Sequence, residues 1–318
     1  MAPVVDSPSA VHGIAGQPTA TVSAVLVTYH PDVSLLRSVL AAVQSQVGHV
    51  VLVDNGTRDR QFDACLEDAV AGGCEVVRSD TNLGLAAGFN TGIARARSHG
   101  SAFVLLLDQD SVASPDMVRT LLDNHEALSR RVRVGAVGAQ FIDPRNGSVA
   151  PFVRIGFPFN RKLQGGHGQQ VECDFLISSG SLLPLRVIDD VGAMDASLFI
   201  DNIDLDWSFR ARAAGYALYG ICDARMRHSI GDELLQAWWT RKGIFIHSPT
   251  RLYYLMRNRL LLYRRSHTPM LWVAQDVPRF FGKLLRMSVL VAPRRANARA
   301  MLRGAWDGLR GRSGKAAP

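Results

Sequence analysis

Two aspartates, Asp108 and Asp110, directly follow an apolar segment that runs from Phe103 to Leu107. Five consecutive large apolar residues predict a strand that is buried on both faces of a parallel sheet. Side chains two residues apart on an extended backbone leave the same face, so both carboxylates can converge on one hard cation. Because open α/β sheets bind ligands at the carboxyl ends of their strands, the segment predicts a cation that neutralises a diphosphate.

A single aspartate after a strand is more often a helix cap or a turn residue, and Ser114-Pro115 is typical of a helix start. Two aspartates in this position favour the ligand role over the cap. Other segments of the sequence are needed to distinguish the ligand role from the cap role.

Polar residues also follow the other predicted strands. These strands alternate with apolar-periodic helices, which predicts right-handed βαβ units around a parallel sheet. The strands are Val22–Thr28, Val50–Val53 and Glu75–Val77, and the polar residues at their ends are Thr28, Tyr29, Asp54, Asn55 and Asn82. Parallel strands share a direction, so these side chains are expected along one edge of the sheet. A nucleotide site there needs carboxylate or amide groups, glycines for close approach and a metal for the phosphates.

The glycines of residues 82–92 fall four apart, at Gly84, Gly88 and Gly92. This spacing is not the Gly-x-Gly-x-x-Gly dinucleotide fingerprint, and the chain contains no Walker motif. Both absences weigh against an oxidoreductase and against a P-loop NTPase. Gly88 and Gly92 fit a helix packed closely on the sheet as well as they fit a phosphate role.

A second acidic segment, residues 199–207, contains Asp201, Asp204 and Asp206. It predicts a helix that runs to Ala214 and ends at Gly215, with acids in its first turn. Aspartates favour a helix N-terminus in any case, but three acids in six residues exceed what capping needs. Before this segment, residues 173–183 are expected to form one strand.

Composition indicates a large α/β core, since 47% of the 318 residues are hydrophobic. The four cysteines are far apart and form no Cys-x-x-Cys pair, which suits a reducing cytoplasm and argues against structural zinc. Residues 1–20 have neither the basic nor the apolar region of a signal peptide and are expected to form a flexible tail. No apolar stretch reaches the roughly 20 residues that a membrane span needs.

Positive charge is concentrated at the end of the chain. From Arg241 onward there are 17 Lys and Arg against Asp276 and Asp307, a net charge of +15, whereas the whole chain carries +8. Helices are predicted over 249–265 and 279–291, and the second is amphipathic with a basic side. This pattern favours contact with the anionic inner face of the cytoplasmic membrane over docking on the body. The basic segment lacks the interleaved aromatics of nucleic-acid modules, so no nucleic-acid partner is expected.

Taken in order, these motifs resemble a family 2 glycosyltransferase of GT-A fold, most closely the bacterial rhamnosyltransferases. The resemblance covers about residues 22–265. It depends on the segments 27–31, 53–56, 82–90, 107–111 and 199–207. It implies an α/β fold with a mostly parallel central sheet flanked by helices, with a catalytic domain at 21–240 and a basic helical C-terminal extension at 241–318. The nucleotide-binding half would be about 21–112, and the acceptor half about 113–240.

The resemblance implies transfer of L-rhamnose from dTDP-L-rhamnose to a hydroxyl of a glycan or lipid-linked glycan acceptor, with inversion. The implied nucleotide-sugar-binding residues are Thr28, Tyr29, Asp54, Asn82, Gly84, Gly88, Asn90, Asp108 and Gln109. Mg²⁺ or Mn²⁺ would be held by Asp110 above all, with Asp108 and His228. On the acceptor side, Ser179, Gly180 and Trp207 are implied.

Inversion in one displacement needs a base that takes the acceptor proton. Many relatives carry Glu-Asp here, whereas this chain has Asp201-Asn202, and an amide cannot act as a base. Asp204 or Asp201 is therefore expected to serve, with a narrow preference for Asp204. A different donor, such as a UDP-hexose, and a non-catalytic nucleotide-sugar-binding or nucleic-acid-binding protein remain the alternatives.

Overall fold

The computed structural model of the chain describes residues 19–228, 233–235 and 244–316. Its strands are β1 (Thr19–Thr28), β2 (Val47–Asp54), β3 (Glu75–Arg78), β4 (Phe103–Asp108), β5 (Val112–Ala113), β6 (Val134–Ile142), β7 (Phe152–Arg154), β8 (Arg161–Leu163), β9 (Gln170–Cys173), β10 (Ser181–Pro184), β11 (Ala217–Arg227), β12 (Glu233–Leu235) and β13 (Ile244–Ile246). Its helices are α1 (Val33–Gln44), α2 (Arg60–Ala71), α3 (Leu85–Ser98), α4 (Met117–Ser129), α5 (Leu185–Val191), α6 (Ile203–Ala213), α7 (Pro249–Leu262), α8 (Met270–Val289) and α9 (Arg294–Leu309). The expected flexible tail over residues 1–20 lies outside the described residues except for its last two, which begin β1.

A central sheet of nine strands organises the described residues, in the order β3-β2-β1-β4-β10-β6-β11-β5, with β9 paired to β11. Strands β3, β2, β1 and β4 are parallel, and β11 is parallel to β6. Strand β10 is antiparallel to both of its neighbours, β4 and β6. The predicted mostly parallel α/β architecture is therefore confirmed.

Helices cover both faces of this sheet. Alternate residues of β4 enter different cores: Leu105 and Leu107 pack with α1, α2 and α4, whereas Val104 and Leu106 pack with α3, α5 and α6. All four side chains are fully buried, as the apolar run predicted. Because β4 lies in the middle of the sheet, its carboxyl end opens at the centre of one edge.

The prediction of a single strand over residues 173–183 is wrong, because the segment contains the end of one strand and the beginning of another. Strand β9 ends at Cys173 on the side of β11, and β10 begins at Ser181 between β4 and β6. The chain has to cross between two places in the sheet, and Gly180 makes the final turn with a φ of +78°. Of the apolar residues in this crossing, Leu176 is buried and Phe175 and Ile177 are half-buried.

The last predicted helix is longer than its sequence pattern indicated. Helix α8 begins at Met270, nine residues before the expected start at Arg279, and it contains Pro278. Proline usually ends a helix because it lacks an N–H and crowds the preceding turn. Here Pro278 lies on the exposed side of α8, where the helix can adjust around it.

The C-terminal helices form a small core of their own and also join the body. Leu252, Phe280, Met287 and Met301 bring α7, α8 and α9 together. Leu262 of α7, in contrast, belongs to the same core as α3 and α6.

No helix within the described ranges has the length and the hydropathy that a membrane span requires.

Candidate active site

The carboxyl end of β4 and the end of β11 bring together two aspartates and a histidine. Asp108 is the last residue of β4, Asp110 follows that strand, and His228 follows β11. One ligand atom of each lies within 4.8 Å of the others. His228 Nδ1 lies 3.2 Å from Asp110 Oδ1. His228 lies 118 positions after Asp110 in the chain. The antiparallel pairing of the end of β11 with β5, where Arg227 pairs with Val112, brings His228 to the acids.

Hydrogen bonds behind this cluster fix its shape. The Asp108 N–H donates to Ser179 Oγ at 3.0 Å, and Ser179 Oγ–H donates to Ser111 Oγ at 2.6 Å. Ser111 Oγ in turn lies 2.8 Å from His228 Nδ1. Ser179, which the resemblance implied on the acceptor side, is thus a buried support of the acidic cluster.

The cluster has the electrostatics of a cation site. Burial raises the pKa of Asp108, and the nearby Asp110 carboxylate adds to the effect. Burial alone would lower the pKa of His228, but its hydrogen bond to Asp110 and the charges of Asp108 and Asp110 raise it instead. Two carboxylates and one imidazole are ligands that suit a divalent cation such as Mn²⁺ or Mg²⁺, so the residues present fit a metal.

A cavity of about 780 Å³ lies against this cluster. Its size is typical of a site for a small-molecule ligand. The residues named from the sequence that line it are Thr28, Tyr29, Asn82, Gly84, Asp108, Gln109, Asp110, Asp201, Asp204 and His228. These residues come from five separate places in the chain, and the strand ends bring most of them to one edge of the sheet.

The side of the cavity near β1 carries the groups implied for nucleoside binding. The Tyr29 N–H donates to Gln109 Oε1 at 2.8 Å, which ties the end of β1 to the end of β4. Thr28 is fully buried, and its Oγ1 has no hydrogen-bond partner among the described residues. Asn82 Oδ1 accepts the Gly84 N–H at 2.8 Å. A Cβ at Gly84 would lie 2.6 Å from the carbonyl oxygen of Phe199, so only glycine fits there.

Several residues named from the sequence lie outside the cavity. Asp54 is fully buried, accepts the Thr57 N–H, and lies 3.5 Å from Arg78 Nε. Gly88 lets α3 approach β1, because a Cβ there would lie 2.6 Å from Val27 Cγ1. The Asn90 amide bonds with the backbone of Met194 in both directions.

Two residues implied on the acceptor side are also in packed positions. Gly180 has a φ of +78°, and a Cβ there would lie 2.6 Å from Met226 Sδ. The Trp207 indole is buried, and its N–H donates to the Gly192 carbonyl oxygen at 3.0 Å. Their contacts in this structure are therefore with the protein interior.

The opposite side of the cavity is an acidic loop, which we define as residues 197–202. Phe199, Asp201 and Asn202 have φ angles of 67°, 63° and 64°, a backbone region that non-glycine residues rarely adopt. The loop leads into α6, whose first turn carries Asp204. The pKa of Asp204 is raised to about 6, mainly by burial and also by the Asp201 and Asp108 charges, whereas the hydrogen bond from the Leu205 N–H works against the shift.

Three charged or titratable residues that line the cavity were not named from the sequence: Arg145, His247 and Arg251. Asn55, which was named only as a strand-end residue, lines it as well. Arg251 of α7 lies 2.8 Å from the Asp201 carboxylate, 50 positions away in the chain. Asn55 Nδ2 donates to the Gly84 carbonyl oxygen at 3.0 Å. Asn55 stands directly after β2, and the polar strand-end pattern placed it at this edge of the sheet. Arg251 has no such local signal.

Comparison with known proteins gives consistent matches. The model of glycosyl transferase family 2 matches residues 23–190. The chain is 30% identical over 305 residues to the dTDP-rhamnosyl transferase RfbF of Shigella flexneri, covering 93% of this chain and 97% of that protein. It is 28% identical over 232 residues to the galactofuranosyltransferase GlfT1 of Mycobacterium tuberculosis, covering 68% of this chain and 72% of that one.

Solved structures share the fold at low sequence identity. The mannosyltransferase PcManGT from Pyrobaculum calidifontis, in complex with GDP-Man and Mn²⁺, aligns with a TM-score of 0.55 at 15% identity over 93% of this chain and 90% of that one. GalNAc-T7 with UDP, GalNAc and Mn²⁺ aligns with a TM-score of 0.58 at 13% identity over 92% of this chain, which spans 56% of that longer protein. The fold is therefore that of the GT-A glycosyltransferases. With the family match over more than half of its length and a relative of 30% identity along nearly all of it, the chain belongs to glycosyl transferase family 2 and is a glycosyltransferase similar to bacterial rhamnosyltransferases.

Proposed function

We propose that the protein transfers L-rhamnose from dTDP-L-rhamnose to a hydroxyl of a cell-surface glycan precursor, with inversion. The observation that carries the proposal is the cavity, which lies between the Asp108, Asp110 and His228 cluster and the acidic side chains of Asp201 and Asp204. The choice of donor is supported by the similarity to a dTDP-rhamnosyl transferase over 93% of the chain.

The donor is proposed to occupy the side of the cavity near β1. Tyr29 and Asn82 would contact the nucleoside, and Thr28, whose buried hydroxyl has no hydrogen-bond partner among the described residues, would lie beside it. Asp54, Gly88 and Asn90 lie outside the cavity and would contribute indirectly, by holding β2 and α3 in position. Asp108, Asp110 and His228 would hold Mg²⁺ or Mn²⁺, which when bound supplies the positive charge that stabilises the departing diphosphate.

Asp204 is proposed as the base. Its carboxylate would take the proton from the acceptor hydroxyl as the acceptor oxygen forms a bond with the anomeric carbon. The bond from that carbon to the diphosphate breaks at the same time, and dTDP leaves with the bonding electrons. A pKa raised to about 6 leaves Asp204 mostly ionised at neutral pH and yet basic enough to accept a proton.

In this proposal, different parts of the chain bind the nucleotide and the acceptor. Residues of about 21–112 would bind the nucleotide, and residues of about 113–240 would form the acceptor side, together with Ser179, Gly180 and Trp207 as supports. The extension from 241 onward would contribute Arg251 and His247, which line the cavity.

A donor screen tests the proposal. The full chain is incubated with dTDP-L-rhamnose, UDP-hexoses, UDP-galactofuranose and GDP-mannose in turn, with Mn²⁺ or Mg²⁺, and calorimetry and donor hydrolysis are measured. Binding of dTDP-L-rhamnose well above the others is expected. Exclusive use of a UDP-sugar would instead support the second candidate, which the similarity to a galactofuranosyltransferase favours. Nucleic-acid binding tighter than binding of every sugar nucleotide would contradict both.

We also propose that the protein works at the inner face of the cytoplasmic membrane. Helix α8 turns Val277, Phe281, Leu285 and Val289 outward, at a spacing of four residues, and all four are exposed. On α9, Leu302, Trp306 and Leu309 are exposed in the same way, among Arg295, Arg299 and Arg303. An apolar stripe bordered by arginines matches the surface of an anionic bilayer, into which such side chains can insert shallowly.

A further inference from the structure

Two neighbouring polar residues of α7, Arg257 and Asn258, are almost completely buried, at 1% and 0% exposure. Buried arginine is rare in proteins unless its donors are paired. Both side chains point at the acidic loop. The Arg257 guanidinium donates to the carbonyl oxygens of Leu198 (2.9 Å) and Ser197 (3.4 Å), and to Asn258 Oδ1.

Asn258 makes the closest set of contacts with the loop. Its Nδ2 lies 3.0 Å from the Leu198 carbonyl oxygen, 2.8 Å from that of Ile200 and 2.9 Å from that of Asp201. One amide group thus meets three carbonyl oxygens within four consecutive residues. Without a common donor, three carbonyl dipoles that point at one place would repel one another. The Asn258 amide therefore holds the backbone of the loop in this conformation.

The path of the loop is one that its residues do not favour by themselves. Phe199, Asp201 and Asn202 all have positive φ angles, and such backbone persists only where the surroundings hold it. The loop also determines the positions of the Asp201 and Asp204 carboxylates at the cavity, because Asp201 belongs to it and α6, which carries Asp204, begins directly after it. Any relaxation of the backbone would therefore move both carboxylates.

The last described segment of the chain closes over the same loop. The Gly314 N–H donates to the Ser197 carbonyl oxygen, and the Gly314 carbonyl oxygen accepts from Arg257 Nη1. Phe199 stacks on Tyr254 of α7, with ring centroids 4.9 Å apart. The Lys315 ammonium group donates to the Asn82 carbonyl oxygen at 3.1 Å, so the segment reaches the donor side as well.

We propose that Arg257 and Asn258 are positioning residues, which hold the acidic loop in the conformation that aims Asp201 and Asp204 at the acceptor. The proposal depends on the proposed function, because it concerns the rate of transfer. In this view the C-terminal helices are part of the catalytic machinery and not an attached membrane anchor alone. Neither residue lines the cavity, so neither contacts the substrate.

The test compares Asn258→Asp and Arg257→Lys with Met256→Ala in the full chain. Asn258→Asp keeps the shape but turns a carboxylate oxygen toward three carbonyl oxygens, and Arg257→Lys keeps the charge but loses the fork of donors. Met256 is fully buried in the core that α7, α8 and α9 share and is not part of the cluster around Phe199 of the loop, so its alanine variant controls for lost stability.

We expect kcat to fall about 10- to 100-fold in Asn258→Asp, the scale of a misplaced reacting group, and less in Arg257→Lys. Donor Kd by calorimetry is expected to stay within about twofold, because the donor side is unchanged. Met256→Ala should lose thermal stability without this loss of kcat. Turnover that falls only in step with Tm in all three variants would overturn the proposal.

Hydrogen exchange separates this proposal from the proposed function. Amides of residues 197–204 are expected to exchange faster in both loop variants and at the wild-type rate in Met256→Ala. Unchanged exchange in Asn258→Asp and Arg257→Lys would overturn the proposal even if transfer were impaired. If the wild-type chain transferred no sugar, the proposed function would fail, and exchange would still decide whether the two side chains hold the loop.

Discussion

The Arg251 guanidinium lies 2.8 Å from the Asp201 carboxylate, and this ion pair distinguishes the two acids on the proposed acceptor side of the cavity. The Asp201 oxygens are occupied by the guanidinium. Asp204, in contrast, accepts the N–H of Leu205 and is buried enough for its pKa to be raised to about 6. The geometry therefore strengthens the narrow preference for Asp204 as the base.

We expect Asp204→Asn to lower kcat by about 10²- to 10⁴-fold, the usual contribution of a general base. Donor Kd should be unchanged, because Asp204 does not lie on the donor side. Asp201→Asn should cost less, since it removes the partner of Arg251 and not the base. Near wild-type turnover in Asp204→Asn, measured with saturating donor and acceptor, would assign the base elsewhere.

The raised pKa of Asp204 predicts the pH dependence of the reaction. A base acts only when it is deprotonated, so kcat is expected to rise with pH through about 6 and then to level off. A profile that stays flat from pH of about 5 to about 8 would contradict the assignment of Asp204.

The same shift predicts an effect on stability. Because the pKa is higher in the folded state, protonated Asp204 contributes stability that is full below about pH 4 and is lost as the pH rises through about 6. Asp204→Asn should therefore raise Tm more at neutral pH than at acidic pH, relative to wild type. Thermal unfolding at both pH values checks this, and an equal change at both would argue against a buried ionised carboxylate.

Removal of the proposed metal should stop transfer. A chelator is expected to abolish activity reversibly, and Asp110→Ala should abolish both activity and calorimetric binding of Mn²⁺, because it removes one of the three ligands. Asp123→Ala is the matched control, since this acid lies exposed on α4 away from the cavity. Full activity of the wild-type chain in the presence of chelator would contradict metal dependence.

Trp207→Ala should act on stability. The indole is buried and bonded to Gly192, so truncation is expected to lower the free energy of unfolding by about 3–5 kcal/mol. Acceptor KM is expected to change little in the fraction that remains folded. A large rise in acceptor KM with an unchanged Tm would support instead the contact with the acceptor that the resemblance implied.

Membrane contact is testable with two exposed residues. Replacing Phe281 and Leu285 by serine should reduce flotation with anionic liposomes by at least about tenfold, because both are more than half exposed on α8 and are proposed to insert. Val70→Ser, on the exposed side of α2, is the control and should float like the wild type. Equal flotation of all three proteins, or none with the wild type, would contradict the proposal.

The sequence alone determined the features that depend on local pattern. The apolar run before Asp108 predicted a strand buried on both faces, and β4 has that burial. Strand and helix alternation predicted the parallel half of the sheet, and polar residues at the strand ends predicted where the cavity would open. These features can be predicted because the spacing of apolar residues along a segment, which sets its secondary structure and its buried faces, depends only on neighbouring residues.

Other features were decided only by the tertiary structure. Arg251 reaches Asp201, and Asn258 reaches the loop carbonyls, through the packing of α7, which no residue near the loop encodes. Asp54, Asn90 and Trp207 carry the residue types of a binding site, yet their bonding groups are directed at other parts of the protein. Local sequence sets which side chains can act, whereas the direction of each side chain and its long-range partner depend on how distant segments pack.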